Sequence, residues 1–127
     1  MSGSVTHFEI PVDDMARAQA FYRDAFGWQI AAAPGTDYTL VRTAPTDENG
    51  MPSEPGTING GMLPRGEPVL QPVVTITVDD VDAALETIEN LGGITVQGRT
   101  PVGGIGFAAY AKDSEGNVIG LWENVTP

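Results

Sequence analysis

One stretch of this chain occurs twice, and the repetition constrains the fold more than any single motif does. Residues 7–30 (HFEIPVDDMARAQAFYRDAFGWQI) align without a gap on residues 73–96 (VVTITVDDVDAALETIENLGGITV) at an offset of 66 positions. The identical pairs are Ile10 and Ile76, Val12 and Val78, Asp13 and Asp79, Asp14 and Asp80, Ala18 and Ala84, and Gly27 and Gly93. Because each copy reads as a strand, an Asp-Asp pair, an amphipathic helix, a glycine and a strand, the sequence predicts a duplicated supersecondary unit.

Alternation and helical periodicity predict the elements of the first unit. A helix follows Asp13 or Asp14 as its N-cap and ends at Gly27. The strand before it, over 5–12, sorts its side chains into two faces: Phe8, Ile10 and Val12 on one, and Val5, His7 and Glu9 on the other. The other predictions are strands over 28–33, 38–43 and 57–63, a turn at Pro34-Gly35 and a mobile loop over 44–56.

The second unit is predicted by the same signals. It has strands over 73–78, 94–97, 106–111 and 118–124, a helix capped by Asp79 or Asp80, and a turn over 101–104. The closing strands of the two units match at an offset of 60, which makes Leu63 correspond to Glu123. In the first of these strands, Gly60-Gly61 indicates a bulge or a close approach by another backbone or a ligand.

Two βαβββ units in tandem predict one α+β domain over residues 1–127, with units 1–63 and 73–127 and a linker over 64–72. Because each unit lays its helix on one sheet face, we expect an eight-stranded open cup with a helix-free inner face. We assign to this cup face Val5, His7 and Glu9 from the first unit, and Val73, Thr75 and Thr77 from the second. In the last strand, Ile119, Leu121 and Glu123 share one face.

The charge balance excludes several classes of partner. The chain has 17 Asp and Glu against 6 Lys and Arg, a formal charge of −11, which opposes binding to nucleic acid and to anionic membranes and favours a cationic ligand. It has no cysteine, so disulfide and thiolate chemistry are excluded. No signal-peptide pattern opens the sequence, and no apolar run approaches the ~18 residues of a membrane span. We therefore expect a cytoplasmic protein.

Four sequence blocks together resemble the vicinal-oxygen-chelate superfamily, which includes glyoxalases, bleomycin-resistance proteins and extradiol dioxygenases. The blocks are HFEIPVDD from His7, AFYRDAFGW from Ala20, VDD from Val78, and DSEGNVIGLWE from Asp113. The resemblance covers nearly the whole chain. It implies a glyoxalase-like form of the predicted cup and, as is common in that superfamily, a homodimer. It does not specify an activity, because one fold hosts many functions.

The resemblance also implies where site residues would lie. Metal-using members draw ligands from the cup faces of each unit's first and closing strands. By position, His7 and Glu123 are of ligand type, whereas Val73 and Leu63 are not. Since the chain has a single His, a 2-His-1-carboxylate site is impossible within it. We expect no cofactor, or at most weak binding of a divalent metal by His7 and Glu123. The predicted ligand-binding residues are His7, Glu9, Thr75 and Glu123.

Two classes of function stay open at this point. The acidic charge and the missing ligands favour a bleomycin-resistance-like protein that binds a small, cationic molecule without a metal. The retained His7 and Glu123 favour a divalent-metal-dependent lyase, isomerase or dioxygenase, in which the metal polarises vicinal oxygens. A simpler interpretation pairs His7 with Glu123 in a hydrogen bond. The binding protein is our prediction; no catalytic residue is assigned, and the sequence does not name the ligand.

Overall fold

The structure of the protein is a computed structural model that describes residues 3–32, 38–48 and 51–125. Within these ranges it contains eight strands and two helices. In chain order they are β1 Ser4–Val12, α1 Met15–Phe26, β2 Gln29–Ala32, β3 Thr39–Arg42, β4 Asn59–Pro64, β5 Val73–Thr77, α2 Val81–Asn90, β6 Ile94–Val102, β7 Gly106–Lys112 and β8 Val118–Asn124. The order of strand, helix and three strands occurs twice, which confirms the predicted α+β class with two βαβββ units. The predicted Pro34-Gly35 turn lies outside the described residues.

The chain divides into two compact units. The N-terminal unit is His7–Pro72, and the C-terminal unit joins the residues from Val73 onward to the start of the chain, up to Thr6. This start is hydrogen-bonded to β5. The Gly3 N–H donates to the Thr77 carbonyl at 2.6 Å, and the hydroxyl oxygens of Thr6 and Thr77 are 2.6 Å apart.

Both helices begin after the second Asp of an Asp-Asp pair, as predicted. A carboxylate oxygen of Asp14 accepts the Arg17 N–H at 3.0 Å, and one of Asp80 accepts the Ala83 N–H at 3.1 Å. Each bond satisfies an N–H that the helix leaves free. The first helix ends at Gly27, whose φ of 76° lies in the left-handed region that favours glycine. No helix in the described part of the chain is long and apolar enough to cross a membrane.

In the N-terminal unit the strands lie in the order β2-β3-β4-β1, with β1 parallel to β4. One sheet face packs against α1, because the alternation of β1 directs its apolar side chains there. The core on this side consists of the buried Val12, Val41 and Met62, with Phe8, Ile10, Met15, Ala18, Tyr22, Trp28 and Ile30 packed around them. The predicted helix-facing set of β1 is therefore confirmed.

In the C-terminal unit the order is β5-β8-β7-β6, with β5 parallel to β8. The core under α2 consists of Val81, Leu85, Ala109, Ala111 and Leu121. β6 runs to Val102 and not to 97 as predicted, and the turn follows at 103–105. The extension includes Pro101, which pairs with Phe107. A proline is tolerated because β6 is the last strand of this order, where a missing N–H breaks no further ladder.

The segment over 44–56 has hydrogen bonds of its own in the parts that the structure describes. The Asp47 N–H donates to the Met51 carbonyl and the Ser53 N–H to the Pro45 carbonyl, both at 2.8 Å. A carboxylate oxygen of Asp47 also accepts the Met51 N–H at 3.0 Å. In its described parts, 44–48 and 51–56, the segment has these hydrogen bonds, and the mobility predicted for it stays a prediction.

The closing strands pair in a register that differs from the predicted one. Glu9 lies opposite Gly61 in the parallel pair β1–β4, and Thr75 lies opposite Gly120 in the parallel pair β5–β8. Since Glu9 and Thr75 are equivalent in the repeat, their partners are equivalent as well, and 61 to 120 is an offset of 59. The predicted offset of 60 is wrong by one residue, and a shift of one residue exchanges the two faces of a strand.

The corrected register places Glu123 on the helix-covered face of its unit. Leu121, two residues earlier in β8, belongs to the core beneath α2. A carboxylate oxygen of Glu123 accepts the N–H of Val81, the first residue of α2, at 2.9 Å. The guanidinium of Arg99 lies 3.7 Å from the other oxygen. The prediction that Glu123 lines the cup face is therefore wrong, because its carboxylate holds the start of α2.

We expect Glu123→Ala to lower the free energy of unfolding by about 1–3 kcal/mol, because it removes a hydrogen bond to a charged acceptor and leaves the Val81 N–H without its partner. Glu86→Ala, at an exposed position of the same helix, is the matched control and should change stability by less than about 0.5 kcal/mol. Urea denaturation at pH 7 measures both variants. Equal effects would contradict the assignment of Glu123 as the anchor of α2.

Candidate functional site

The candidate site lies on the face of the N-terminal sheet that α1 does not cover, which we call the helix-free face. On β1 this face carries His7 and Glu9, which alternate with the helix-facing Phe8 and Ile10. On β4 it carries Gly61 and Leu63, on either side of the buried core residue Met62. Glu9 is only 7% exposed. The structure therefore brings His7 and Glu9 to one face, as the alternation predicted.

The hydrogen-bond partner of His7 is Tyr38. The His7 Nε2 atom lies 2.7 Å from the Tyr38 hydroxyl, and the two rings are nearly parallel, at an interplanar angle of 21°. Tyr38 immediately precedes β3. The Glu123 carboxylate is bonded to the Val81 N–H, and its pairing with His7 stays a prediction.

Tyr38 reaches His7 because β4 has no side chain at position 61. A Cβ atom added to Gly61 would collide with the Tyr38 ring, and one added to Gly60 would come within 2.6 Å of the Phe8 ring. At Gly60 the close approach is made by the ring and the backbone carbonyl of Phe8, so the predicted approach by another backbone is found there, whereas the Tyr38 ring at Gly61 was not predicted. On the helix-free face, the Tyr38 ring fills the space into which a side chain from position 61 would project.

The surroundings of His7 hold it in the neutral form. Burial lowers the pKa of His7 below its usual 6.5, and the nearby Glu9 carboxylate opposes this shift without reversing it. A neutral imidazole has one nitrogen that donates and one that accepts. The Tyr38 hydroxyl can take either part at Nε2. The pair offers a ligand hydrogen-bonding atoms of both kinds, next to a buried carboxylate.

The C-terminal unit also has a sheet face that its helix does not cover. Thr75 lies on it, 7% exposed, and a Cβ at Gly120 would come within 2.8 Å of the Thr75 hydroxyl. Trp122 lies on the same face, and its indole N–H donates to a side-chain oxygen of Asn124 at 2.8 Å. Its ring occupies the space above Gly106, where a Cβ would collide with it. Thr75 thus has the predicted orientation, whereas the ligand role predicted for it remains a prediction.

The residues present do not fit a chelated metal of the kind that the resemblance implies. Among the residues that the structure describes, no group of three or more His, Cys, Asp and Glu could hold a metal ion. His7 is bonded to Tyr38, and the carboxylate of Glu123 points to α2. In the corrected register, the helix-free positions of the closing strands are Gly61 and Leu63 in β4, and Gly120 and Trp122 in β8. None of these four has a side chain that binds metal well.

Tyr38 is the site residue that the sequence analysis missed. It was assigned only as the first residue of a strand, and its partner is 31 positions away. Two signals were present in the sequence. The alternation along the strand puts the Tyr38 side chain on the other sheet face from the buried Thr39 and Val41, and the pair Gly60-Gly61 leaves room for a ring. Neither signal identifies the partner without the β3–β4 register.

We expect Gly61→Ala to lower stability by about 1–3 kcal/mol, because the added methyl group meets the Tyr38 ring. In a Tyr38→Ala background the same change should cost close to nothing, since the ring is gone. The difference between the two costs, measured by urea denaturation as a double-mutant cycle, reports the contact. Gly98→Ala is the control, because a Cβ there meets nothing within 4 Å. Equal costs of Gly61→Ala in both backgrounds would contradict the position of Tyr38.

The stability of the protein should decrease on mild acidification because of His7. The pKa of His7 is lower in the folded protein than in the unfolded chain, so the unfolded chain takes up the proton first as pH falls. This contribution to stability is complete above pH 6.5 and is lost below it, at no more than about 1.4 kcal/mol per pH unit. Urea denaturation at several pH values should show a steeper loss below pH 6.5 in wild type than in His7→Gln. As the chain has one His, its proton resonances follow the same titration, and a midpoint above 6.5 would contradict the prediction.

Comparison with known proteins gives consistent matches. Residues 4–44 match a family model described as "Bleomycin resistance protein-like N-terminal". The chain is 26% identical to "Putative glyoxylase CFP32" of Mycobacterium tuberculosis, over 95% of this chain and 46% of that protein. It thus spans about half the length of that relative. It is 28% identical to "Probable lactoylglutathione lyase" of Vibrio parahaemolyticus, over 97% of this chain and 92% of that protein.

Solved structures share the fold. Methylmalonyl-CoA epimerase from Mycobacterium tuberculosis superposes with a TM-score of 0.64 at 18% identity, over 95% of this chain and 87% of that one. A Streptomyces coelicolor methylmalonyl-CoA epimerase in complex with 2-nitronate-propionyl-CoA superposes with a TM-score of 0.65 at 14% identity, over 99% of this chain and 100% of that one. At these identities the likeness concerns the fold alone.

Proposed function

We propose that this chain, which belongs to the vicinal-oxygen-chelate superfamily, binds a small organic molecule through hydrogen bonds and apolar contacts, without a chelated metal. The observation that supports this most directly is the bond between His7 and Tyr38. This bond engages the Nε2 atom of His7, the residue that the resemblance implies as a metal ligand. The side chains at the other expected ligand positions, Val73 and Leu63, are apolar.

The charge distribution supports a cationic ligand. The formal charge of −11 raises the local concentration of cations around the protein. Glu9 places a carboxylate beside His7, near enough to act on its pKa. A neutral imidazole next to a carboxylate does not repel a positively charged group as an imidazolium would. The family model matched by residues 4–44, which is described as bleomycin resistance protein-like, agrees with a binding protein.

A second candidate is a divalent-metal-dependent lyase, isomerase or dioxygenase. It is favoured by the names of two relatives, a glyoxylase and a lactoylglutathione lyase. In this chain such an enzyme would have to use His7 with donors other than Glu123, whose carboxylate anchors α2. Of the two candidates, the donor set supports the binding protein better.

We also propose that the protein is cytoplasmic and acts as a homodimer. Two aromatic side chains on the outer surface of α1, Phe21 and Phe26, are 60% and 64% exposed. Exposed apolar patches of this kind are commonly covered in an assembly, and two-fold dimers are the commonest oligomers.

Calorimetric titration with zinc, nickel and manganese tests the absence of a chelate site. We expect no tight one-to-one binding by protein purified without chelator, and no difference between wild type and His7→Ala. Tight one-to-one binding that is lost in His7→Ala would overturn the proposal and favour the enzyme.

Fluorescence titration with ethidium, an aromatic cation, tests the proposed ligand class. We expect saturable binding that Tyr38→Phe weakens several-fold, whereas Glu86→Gln, at an exposed carboxylate of α2, leaves it unchanged. If both variants had the same effect, the binding would be a general attraction of the cation by the acidic surface. Such a result would contradict a site at His7 and Tyr38.

A further inference from the structure

We propose that the N-terminal unit has a second binding site, an apolar cleft on its helix-covered side that takes an uncharged, flat aromatic molecule. The cleft has a volume of about 500 Å³. Its principal lining residues are Phe8, Ile10, Tyr22, Trp28 and Ile58. Since Phe8 and Ile10 face α1, the cleft is separate from the site at His7 and Tyr38, and it does not depend on the function proposed for that site.

The cleft is open and shallow, and several segments of the chain converge on it. Its lining comes from β1, from α1 and the residue two positions after it, from the residue after β3, from the chain just before β4, and from the residue before β5. Four of its side chains belong to the margin of the core: Phe8, Ile10, Tyr22 and Trp28, all half-buried. The margin of this core is therefore accessible at the cleft. Its volume lies in the range of small-molecule sites, ~300–1,000 Å³, and its lining is mostly apolar, as in such sites.

Aromatic rings give the cleft a preference for a flat ligand. The rings of Tyr22 and Trp28 are stacked, with centroids 4.7 Å apart and an interplanar angle of 5°. Phe8 is 5.9 Å from Trp28 at an angle of 48°. A planar aromatic molecule can contact these rings in stacked or tilted arrangements, which are the arrangements that aromatic pairs favour.

The polar groups of the cleft predict an uncharged ligand. None of the described residues that line it carries a formal charge. The hydroxyls of Thr43 and Thr57, which also line it, already donate to the carbonyls of Ile58 and Glu54 at 2.6 and 2.7 Å. A charged group in the cleft would be desolvated without a partner, which is costly. The formal charge of −11 on the chain further disfavours an anion.

The test uses N-phenyl-1-naphthylamine, an uncharged aromatic dye whose fluorescence rises in apolar surroundings. The chain has two tryptophans, so Trp122→Phe leaves Trp28 as the sole indole. In that variant we expect saturable one-to-one binding of the dye, accompanied by quenching of Trp28 emission through energy transfer. A dye that binds without quenching Trp28, or no binding at all, would overturn the proposal.

Three further variants locate the dye. Ile58→Glu places a charge in the cleft, and Thr57→Trp fills it with a ring; each should weaken binding by at least tenfold. Leu91→Glu is the matched control, because Leu91 is apolar, 75% exposed and not part of the lining, and it should leave binding unchanged. Circular dichroism checks that each variant folds. If Ile58→Glu does not fold, the dye affinity of Thr57→Trp is compared with that of the control.

The competing occupant of the cleft is a second copy of the chain. Light scattering at the dye-titration concentrations and at tenfold higher protein distinguishes the two. Dye binding that is independent of the oligomeric state supports the small-molecule site. Binding that disappears as the mass doubles would show that a second copy covers the cleft, and would overturn the proposal.

Discussion

The parallel pairing of each unit's first strand with its closing strand sets the rest of the structure. It places Glu9 opposite Gly61 and Thr75 opposite Gly120. In a strand, successive side chains point to opposite faces, so these two registers decide which residues of β4 and β8 pack under a helix. Met62 and Leu121 are core residues for this reason. Beside them, Gly61 and Gly120 have no side chain. The Tyr38 ring fills the space above Gly61, and the Thr75 hydroxyl lies close to Gly120.

The same register determines how each helix is tied to its sheet, and the two units do this differently. In the N-terminal unit, the guanidinium of Arg65, just after β4, donates to the Asp13 carboxylate at 2.9 Å. In the C-terminal unit, a carboxylate in β8 accepts the first N–H of α2. The helix N-terminus carries a partial positive charge, so an acidic group from the sheet stabilises it directly. In both units, a side chain in or just after the closing strand is therefore bonded at the start of the helix. The bond is an ion pair in the first unit and a carboxylate with a backbone N–H in the second.

Local features of the fold were predictable, and long-range ones were not. Asp14, Asp80 and Gly27 are helix caps because of interactions within one helical turn, and such interactions are readable from the sequence. The offset of the closing strands depends on which residues pair across about 50 positions. The glycines at 56, 60, 116 and 120 made an offset of 60 look correct, although pairing sets it at 59. An error of one residue there moved Glu123 to the wrong face, whereas His7 and Glu9 needed only the alternation of their own strand.

The contact between His7 and Tyr38 links the register to the chemistry of the site. Gly61 admits the Tyr38 ring, and the ring brings a phenol to the imidazole nitrogen. Burial of His7 then favours the neutral ring, and a neutral ring is the form that can share a hydrogen bond with a phenol in either direction. A divalent cation at that nitrogen would have to displace the tyrosine and recruit donors that the neighbouring helix-free positions, Gly61 and Leu63, do not have. An organic ligand needs no such rearrangement, because it can hydrogen-bond to the pair as it stands.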